Sequence, residues 1–163
     1  MNKIYINYNQ LQGHVLDILR QMQKDEWKPD YVVGITRGGL LPAALISQYL
    51  DIPMHTLKIA LRDDSADNCE SNCWMSEDAS EGKKILIVDD INDTGATIAW
   101  LHEDWQSNCL GEWDKVWHNN VKFAVIVNNI PSKEFVDYSS FDIDKNKDPS
   151  WVVFPTENFW NKN

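Results

Sequence analysis

Residues 85–98, ILIVDDINDTGATI, set two adjacent aspartates, Asp89 and Asp90, and a third, Asp93, ahead of Thr94, Gly95, Ala96 and Thr97. Paired carboxylates accept hydrogen bonds from vicinal hydroxyls or hold a divalent cation. A Thr-Gly-x-Thr turn that opens a helix holds a phosphate through backbone N–H groups, hydroxyls and the positive end of the helix dipole, with no cationic side chain required. A ligand with hydroxyls or a metal ion on one side and a phosphate on the other satisfies both groups, and ribose 5-phosphate is one such ligand. Asp93 has a second reading as the N-cap of the following helix, and one residue could serve both purposes. The bland alternative for the whole stretch is a buried strand followed by a solvated acidic turn.

These groups need a frame. Ile85, Leu86, Ile87 and Val88 read as a strand buried on both faces, as in parallel sheets. Asp89 and Asp90 then fall at its carboxyl end, where an open α/β sheet holds its ligand. Beyond the turn, Ile98, Leu101 and Trp105 keep helical spacing. A second unit of the same shape lies upstream: a strand over 31–35, a Thr36-Arg37-Gly38-Gly39 turn, and a helix with Pro42 in its first turn, where proline is tolerated. Leu11, Val15, Ile18, Leu19 and Met22 share one helical face after a short alternating stretch. Residues 52–61 and 121–130 add strands, and SWVVFPTENFW (150–160) closes the chain with an apolar, aromatic segment. Residues 62–83 are polar, acidic and patternless, and are expected to form a mobile loop, either a lid or a disordered segment. The alternation predicts an α/β fold, a mainly parallel central sheet flanked by helices with right-handed crossovers, in one domain over 1–163.

Fifteen Lys and Arg against 25 Asp and Glu give a formal charge of 15 − 25 = −10, which opposes the electrostatic attraction that nucleic-acid binding relies on. An acidic protein that binds a polyphosphate must do so through backbone N–H groups and a divalent cation, which points to Mg2+. Cys69, Cys73 and Cys109 are an odd number without the second pair or nearby histidine of a zinc site. With no apolar run long enough to span a bilayer and no signal-peptide pattern, the expected location is the cytoplasm, away from membranes.

Residues 85–97 resemble the phosphoribosyl pyrophosphate signature of type I phosphoribosyltransferases: hydrophobic strand residues, two acids, two spacers, a third position, then Thr-Gly-x-Thr. GITRGGLLPAAL (34–45) resembles the same family's pyrophosphate loop, upstream at the expected order and separation. Asp93 fills a position that is an aspartate chiefly in members acting on 6-oxopurines. YINYNQLQGH (5–14) and DPSWVVFPTE (148–157) extend the likeness over nearly the whole chain, toward the bacterial xanthine-guanine branch.

The resemblance implies transfer of a 5-phosphoribosyl group from phosphoribosyl pyrophosphate to guanine, xanthine or hypoxanthine, giving the nucleoside 5-monophosphate and pyrophosphate. It implies that Asp89 and Asp90 hold the ribose hydroxyls, with Asp90 the principal Mg2+ ligand, and that Asp93 to Thr97 (Asp93, Thr94, Gly95, Ala96, Thr97) cradle the 5-phosphate. Thr36, Arg37, Gly38 and Gly39 would present backbone groups and one guanidinium to the pyrophosphate, with a cis peptide at Thr36–Arg37. Asp93 would face N7 of the purine as general base, Trp151 would stack on the ring from a small C-terminal hood over 149–163, and the Val152 backbone would read the 2-position. A homo-oligomer, dimer or tetramer, is also implied. The chain departs from the pattern in two places. Asn129 stands where the family's lysine donates to O6, leaving a neutral amide donor, with Lys133 nearby as a substitute. The 62–83 segment lacks the family's Ser-Tyr pair. Two other readings stay open: transfer to a different base, and a non-catalytic regulator that binds phosphoribosyl pyrophosphate and controls RNA or DNA.

Overall fold

A computed structural model of the chain describes residues 1–61, 69–70, 72–108 and 112–160. Along these residues the elements are β1 (Lys3–Tyr5), α1 (Tyr8–Lys24), β2 (Tyr31–Thr36), α2 (Leu40–Leu50), β3 (Met54–Lys58), α3 (Cys73–Ser80), β4 (Ile85–Asn92), α4 (Ala96–Asn108), β5 (Val121–Asn129), β6 (Tyr138–Ile143) and β7 (Trp151–Val153). The main sheet has the order β3-β2-β4-β5-β6, and every neighbouring pair is parallel. A separate two-stranded sheet pairs β1 with β7, also parallel.

Alternation along the buried strands splits the core in two. Val32, Leu86, Val88, Ala124 and Ile126 face α1 and α2, while Val33, Ile35, Ile85, Ile87, Phe123 and Val125 face α3 and α4. Helix α1 starts at a capping box, with Asn7 accepting from the Gln10 N–H at 2.8 Å and the Gln10 side chain accepting from the Asn7 N–H at 2.9 Å. It buries Leu11, Val15, Ile18, Leu19 and Met22, the face read from the spacing. The buried residues of α4 are likewise Ile98, Leu101 and Trp105.

Two elements were not visible in the pattern. Residues 73–80, inside the segment expected to be a loop, form α3, which buries Met75, Ser76 and Ala79 against the α4 side of the sheet. Residues 62–68 and 71 of that segment, and Cys109, lie outside the described residues. Cys69 forms an antiparallel bridge with Ile59, and the Glu70 N–H donates to the Lys58 carbonyl at 2.8 Å, so the chain returns along the β3 edge. The second unexpected element is β6, an edge strand with only one fully buried residue, Tyr138, in its six.

Polar contacts to α1 add to the packing of Tyr138, Phe141 and Ile143 in holding β6. Gln21 Nε2 donates to the Ser139 carbonyl at 2.7 Å, His14 Nδ1 and Ser140 Oγ are 2.7 Å apart, and Ser140 Oγ donates to Asp17 Oδ2 at 3.1 Å. Burial at this contact lowers the His14 pKa from its ordinary 6.5. Just past the end of α1, the Tyr138 hydroxyl donates to Asp25, and Lys122 Nζ pairs with the same carboxylate at 2.9 Å. These partners hold the Asp25 carboxyl below its ordinary 3.8, the Tyr138 hydrogen bond foremost and Lys122 after it. With its folded value depressed, the folded state carries fewer protons than the unfolded chain in that window, so stability rises with pH through it. Asp25→Asn is therefore expected to be less stable than wild type above about pH 4, with the gap closing as pH falls through the folded value of Asp25. Urea midpoints measured across that pH range check this.

Candidate active site

The crevice follows from connectivity. From β2 the chain crosses through α2 to β3 on one side, and from β4 it crosses through α4 to β5 on the other, so the β2–β4 junction is a topological switch point, where open α/β sheets hold ligands at the strands' carboxyl ends. The β2–β4 ladder runs to the Gly34–Val88 pair, whereas β4 stays with β5 as far as the Asn92–Asn128 pair. Beyond Val88 the two strands part, and Asp89 and Asp90 lie on β4 beside the turn that follows β2.

That turn holds Thr36, Arg37, Gly38 and Gly39. The Thr36–Arg37 peptide is cis, and the Gly39 N–H donates to the Ile35 carbonyl at 2.9 Å. Gly39 is required by close approach, since a Cβ there would lie 2.2 Å from the Val88 carbonyl oxygen, and a Cβ on Gly38 would lie 2.2 Å from Asp90 Oδ2 and displace that carboxylate. The two sequence motifs therefore meet at van der Waals distance, with the Arg37 side chain exposed at the rim. Asp90 Oδ1 accepts from the Ile91 N–H at 2.8 Å and Asp89 Oδ1 from the Asp90 N–H at 2.9 Å, which orients both carboxylates.

This donor set fits a magnesium ion shared with a ligand. Mg2+ is ordinarily held by one or two carboxylates with waters and substrate oxygens completing the shell. Asp90 against the Gly38 cradle, with Asp89 beside it, supplies carboxylates of that kind, and no cluster of three or more His, Cys, Asp or Glu able to cage a metal occurs among the described residues.

Asp93, Thr94 and Gly95 form the bend into α4. Thr94 Oγ1 accepts from the Ala96 N–H at 3.2 Å, so Thr94 is the side chain that caps the helix start. Gly95 has φ +90°, and a Cβ there would lie 2.8 Å from Glu134 Cγ and 2.9 Å from Ser132 Oγ, so the loop after β5 packs directly on the bend. The Asp93 carboxylate points to the other side: Oδ2 pairs with Lys145 Nζ at 2.8 Å and Oδ1 accepts from Asn129 Nδ2 at 3.2 Å.

Lys145 is the residue that sequence reasoning missed. It lies in the turn between β6 and β7, and its Nζ also sits 5.7 Å from the Trp151 ring centroid. Asn129, expected as a neutral donor to a base, is 6% exposed and directs its amide to Asp93. Lys133, the other expected substitute, has an exposed side chain, and its backbone N–H reaches the Thr94 carbonyl at 3.3 Å. Lys147 pairs with Asp144 at 3.2 Å. Nothing in the sequence pattern distinguishes these three lysines; the closure of the β6–β7 turn over the end of β5 does.

Trp151 is 41% exposed, a large indole left open on β7. The Trp151 backbone N–H donates to the Asn2 carbonyl at 2.8 Å, and the Ile6 N–H donates to the Val153 carbonyl at 3.0 Å. With Trp151 and Val153 facing β1, strand alternation turns the N–H and C=O of Val152 to the opposite side, while its side chain is buried. The N-terminal strand thus carries the strand that bears Trp151.

Comparisons with known proteins agree with this architecture. Residues 7–160 match the phosphoribosyl transferase domain family. The chain is 25% identical over 146 residues to xanthine phosphoribosyltransferase 1 of Saccharomyces cerevisiae, spanning 76% of this chain and 69% of that protein. Its fold is similar to a purine phosphoribosyltransferase from Pyrococcus horikoshii Ot3, with a TM-score of 0.70, 23% identity and coverage of 100% and 97% of the two chains. It is also similar to the xanthine-guanine-hypoxanthine phosphoribosyltransferase of Helicobacter pylori, with a TM-score of 0.67, 17% identity and coverage of 96% and 94%.

The Lys145–Asp93 pair is partly solvated, with side chains 23% and 42% exposed. An ion pair of this exposure contributes little to folding, so Lys145→Met is expected to change unfolding stability by less than about 1 kcal/mol. Urea unfolding checks this, and separates any functional loss in that variant from misfolding.

Proposed function

The chain belongs to the phosphoribosyl transferase domain family and is a type I phosphoribosyltransferase, and from that premise we propose that it transfers the 5-phosphoribosyl group of phosphoribosyl pyrophosphate to a 6-oxopurine. The products are the nucleoside 5-monophosphate and pyrophosphate. The observation that carries the choice of base is the ammonium of Lys145 set 2.8 Å from the Asp93 carboxylate, beside the open face of Trp151. On a 6-oxopurine, O6 and N7 are neighbours on one edge. O6 accepts from the ammonium, and N7–H, in the tautomer protonated there, donates to the carboxylate. A 6-aminopurine turns an N–H donor toward the ammonium, so two donors face each other and neither gains an acceptor there, which costs binding.

In this reading the chain's groups divide the work by position. Thr94 to Thr97 at the start of α4 hold the 5-phosphate, the Thr36 to Gly39 turn with the Arg37 guanidinium holds the pyrophosphate, and Asp89 and Asp90 hold the ribose hydroxyls. When bound, Mg2+ held by Asp90 and Asp89 together with ligand oxygens supplies charge neutralisation for the leaving group. Trp151 stacks on the base and Val152 offers its outward backbone groups to the 2-position. As the bond from N9 to C1 of the ribose forms, the C1–oxygen bond to pyrophosphate breaks with its electron pair, and the N7 proton passes to Asp93. Each Asp93 oxygen has a second lone pair beyond the one used by Asn129 or Lys145, so the carboxylate can accept that proton where it stands. A cytoplasmic homo-oligomer belongs to the same reading.

Purified protein with phosphoribosyl pyrophosphate and Mg2+, offered guanine, xanthine, hypoxanthine, adenine, orotate or uracil separately, is expected to form a nucleoside monophosphate from one or more of the 6-oxopurines and none from adenine. Product from adenine, orotate or uracil alone would sink the base assignment. No product from any base, with phosphoribosyl pyrophosphate still bound, would favour a sensor. Asp93→Asn is expected to lower kcat by about a hundredfold or more, with affinity for phosphoribosyl pyrophosphate nearly unchanged. Gly38→Ala, whose methyl would collide with Asp90, is expected to weaken Mg2+-dependent phosphoribosyl pyrophosphate binding by about tenfold or more, read by calorimetry.

A further inference from the structure

Asn129 is the last residue of β5 and is almost fully buried, and its amide is shared between the two segments that carry the purine-edge pair. Nδ2 donates to the Asp93 carbonyl at 3.0 Å and to Asp93 Oδ1 at 3.2 Å, while Oδ1 accepts from the Lys145 N–H at 3.0 Å. Both donor contacts of the amide nitrogen go to Asp93, and its oxygen is taken by the Lys145 N–H, so the amide is engaged by the protein on both its donor and its acceptor side. The β5–β6 ladder pairs Asn129 with Ile143, two residues before Lys145, so the amide reaches across to the turn where its own ladder ends.

We propose that Asn129 is a positioning residue for base recognition: it ties the turn after β4 to the turn after β6 and so sets the spacing between the Asp93 carboxylate and the Lys145 ammonium. This rests on the 6-oxopurine reading above. The role needs a side chain that donates twice and accepts once within one rigid plane, which an amide does. A lysine at this position could not accept from the Lys145 N–H, and an ionised aspartate could not donate to Asp93. The cation that reads the base accordingly arrives on a different segment, and the residue at the end of β5 orients it. A group anchored by its backbone and its partner's carboxylate is held to the tolerance that base discrimination needs, whereas a free lysine stem is not.

Calorimetric binding of inosine and adenosine 5-monophosphates tests this without turnover, since the two share ribose 5-phosphate and differ on the six-membered ring of the purine. Phosphoribosyl pyrophosphate with Mg2+ reports on the rest of the site. Wild type is expected to bind the inosine nucleotide about tenfold or more tighter than the adenosine one. Asn129→Ala is expected to bring that ratio within about threefold, with phosphoribosyl pyrophosphate affinity nearly unchanged. Asn129→Ser, which keeps a hydroxyl but cannot span both turns, answers the same question should the alanine variant fail to fold. Added to Lys145→Met, Asn129→Ala should cost little further inosine nucleotide affinity, because the group it positions is gone. A full ratio retained in the Asn129 variants would overturn the positioning role and leave the base assignment standing. An equal fall for all three ligands would reduce Asn129 to a structural residue and overturn the role as well. A wild type that does not distinguish the two nucleotides would overturn the 6-oxopurine reading, and the proposed role with it.

Discussion

Gly38 and the Asp90 carboxylate share a space that one methyl group would fill, and the rest of the site is arranged around that contact. It exists because β2 and β4 are parallel neighbours in register up to Gly34 and Val88 and then diverge, β4 continuing along β5 alone. Two apolar strands buried from both sides enforce the pairing, since neither face of Val32, Val33, Leu86 or Ile87 can be left to water. Once the pairing is set, the turn after β2 and the acids of β4 open on the same crevice. In the proposed reading a polyphosphate meets backbone donors on one wall and the carboxylates of Asp89 and Asp90 on the other.

This division is also how an acidic chain of net charge −10 can hold an anion. Fixed N–H groups in turns and at a helix start do not depend on net charge, and they cost no reorganisation when ligand arrives. Among the described residues the cations beside the site include Arg37 at the rim of the turn and Lys145 against Asp93. Each has one small region to serve, so neither raises the background attraction for nucleic acid that a basic face would bring.

The proposed base end depends on distant parts of the chain. Trp151 and Val152 sit on a strand whose sheet partner is the N-terminal β1, and Lys145 follows an edge strand held to α1 by Gln21, His14, Asp17 and Asp25. Polar staples are directional, so they define where β6 ends more closely than an apolar face would. Where β6 ends decides where Lys145 stands relative to Asp93.

Local period and local chemistry made most of the frame legible. The faces of α1 and α4, the buried run of β4, and both glycine-bearing turns are contiguous patterns whose burial follows from spacing of 3.6 or 2 residues. The family resemblance rested on those same contiguous stretches. What the pattern left dark was non-local. Helix α3 buries only Met75, Ser76 and Ala79 out of a polar stretch, and β6 has one fully buried residue in six, so neither carries a periodic apolar signal. Asn129 read as a base donor, and Lys145 did not stand out from Lys133 or Lys147, because a side chain's partner across 16 or 52 residues is set by how strands close and not by its neighbours in sequence. The sequence by itself determined the buried strands of the sheet and the two glycine-bearing turns at their carboxyl ends. Only the tertiary structure decided which cation faces Asp93 and which amide holds the two together, because those contacts join turns that chain order keeps apart.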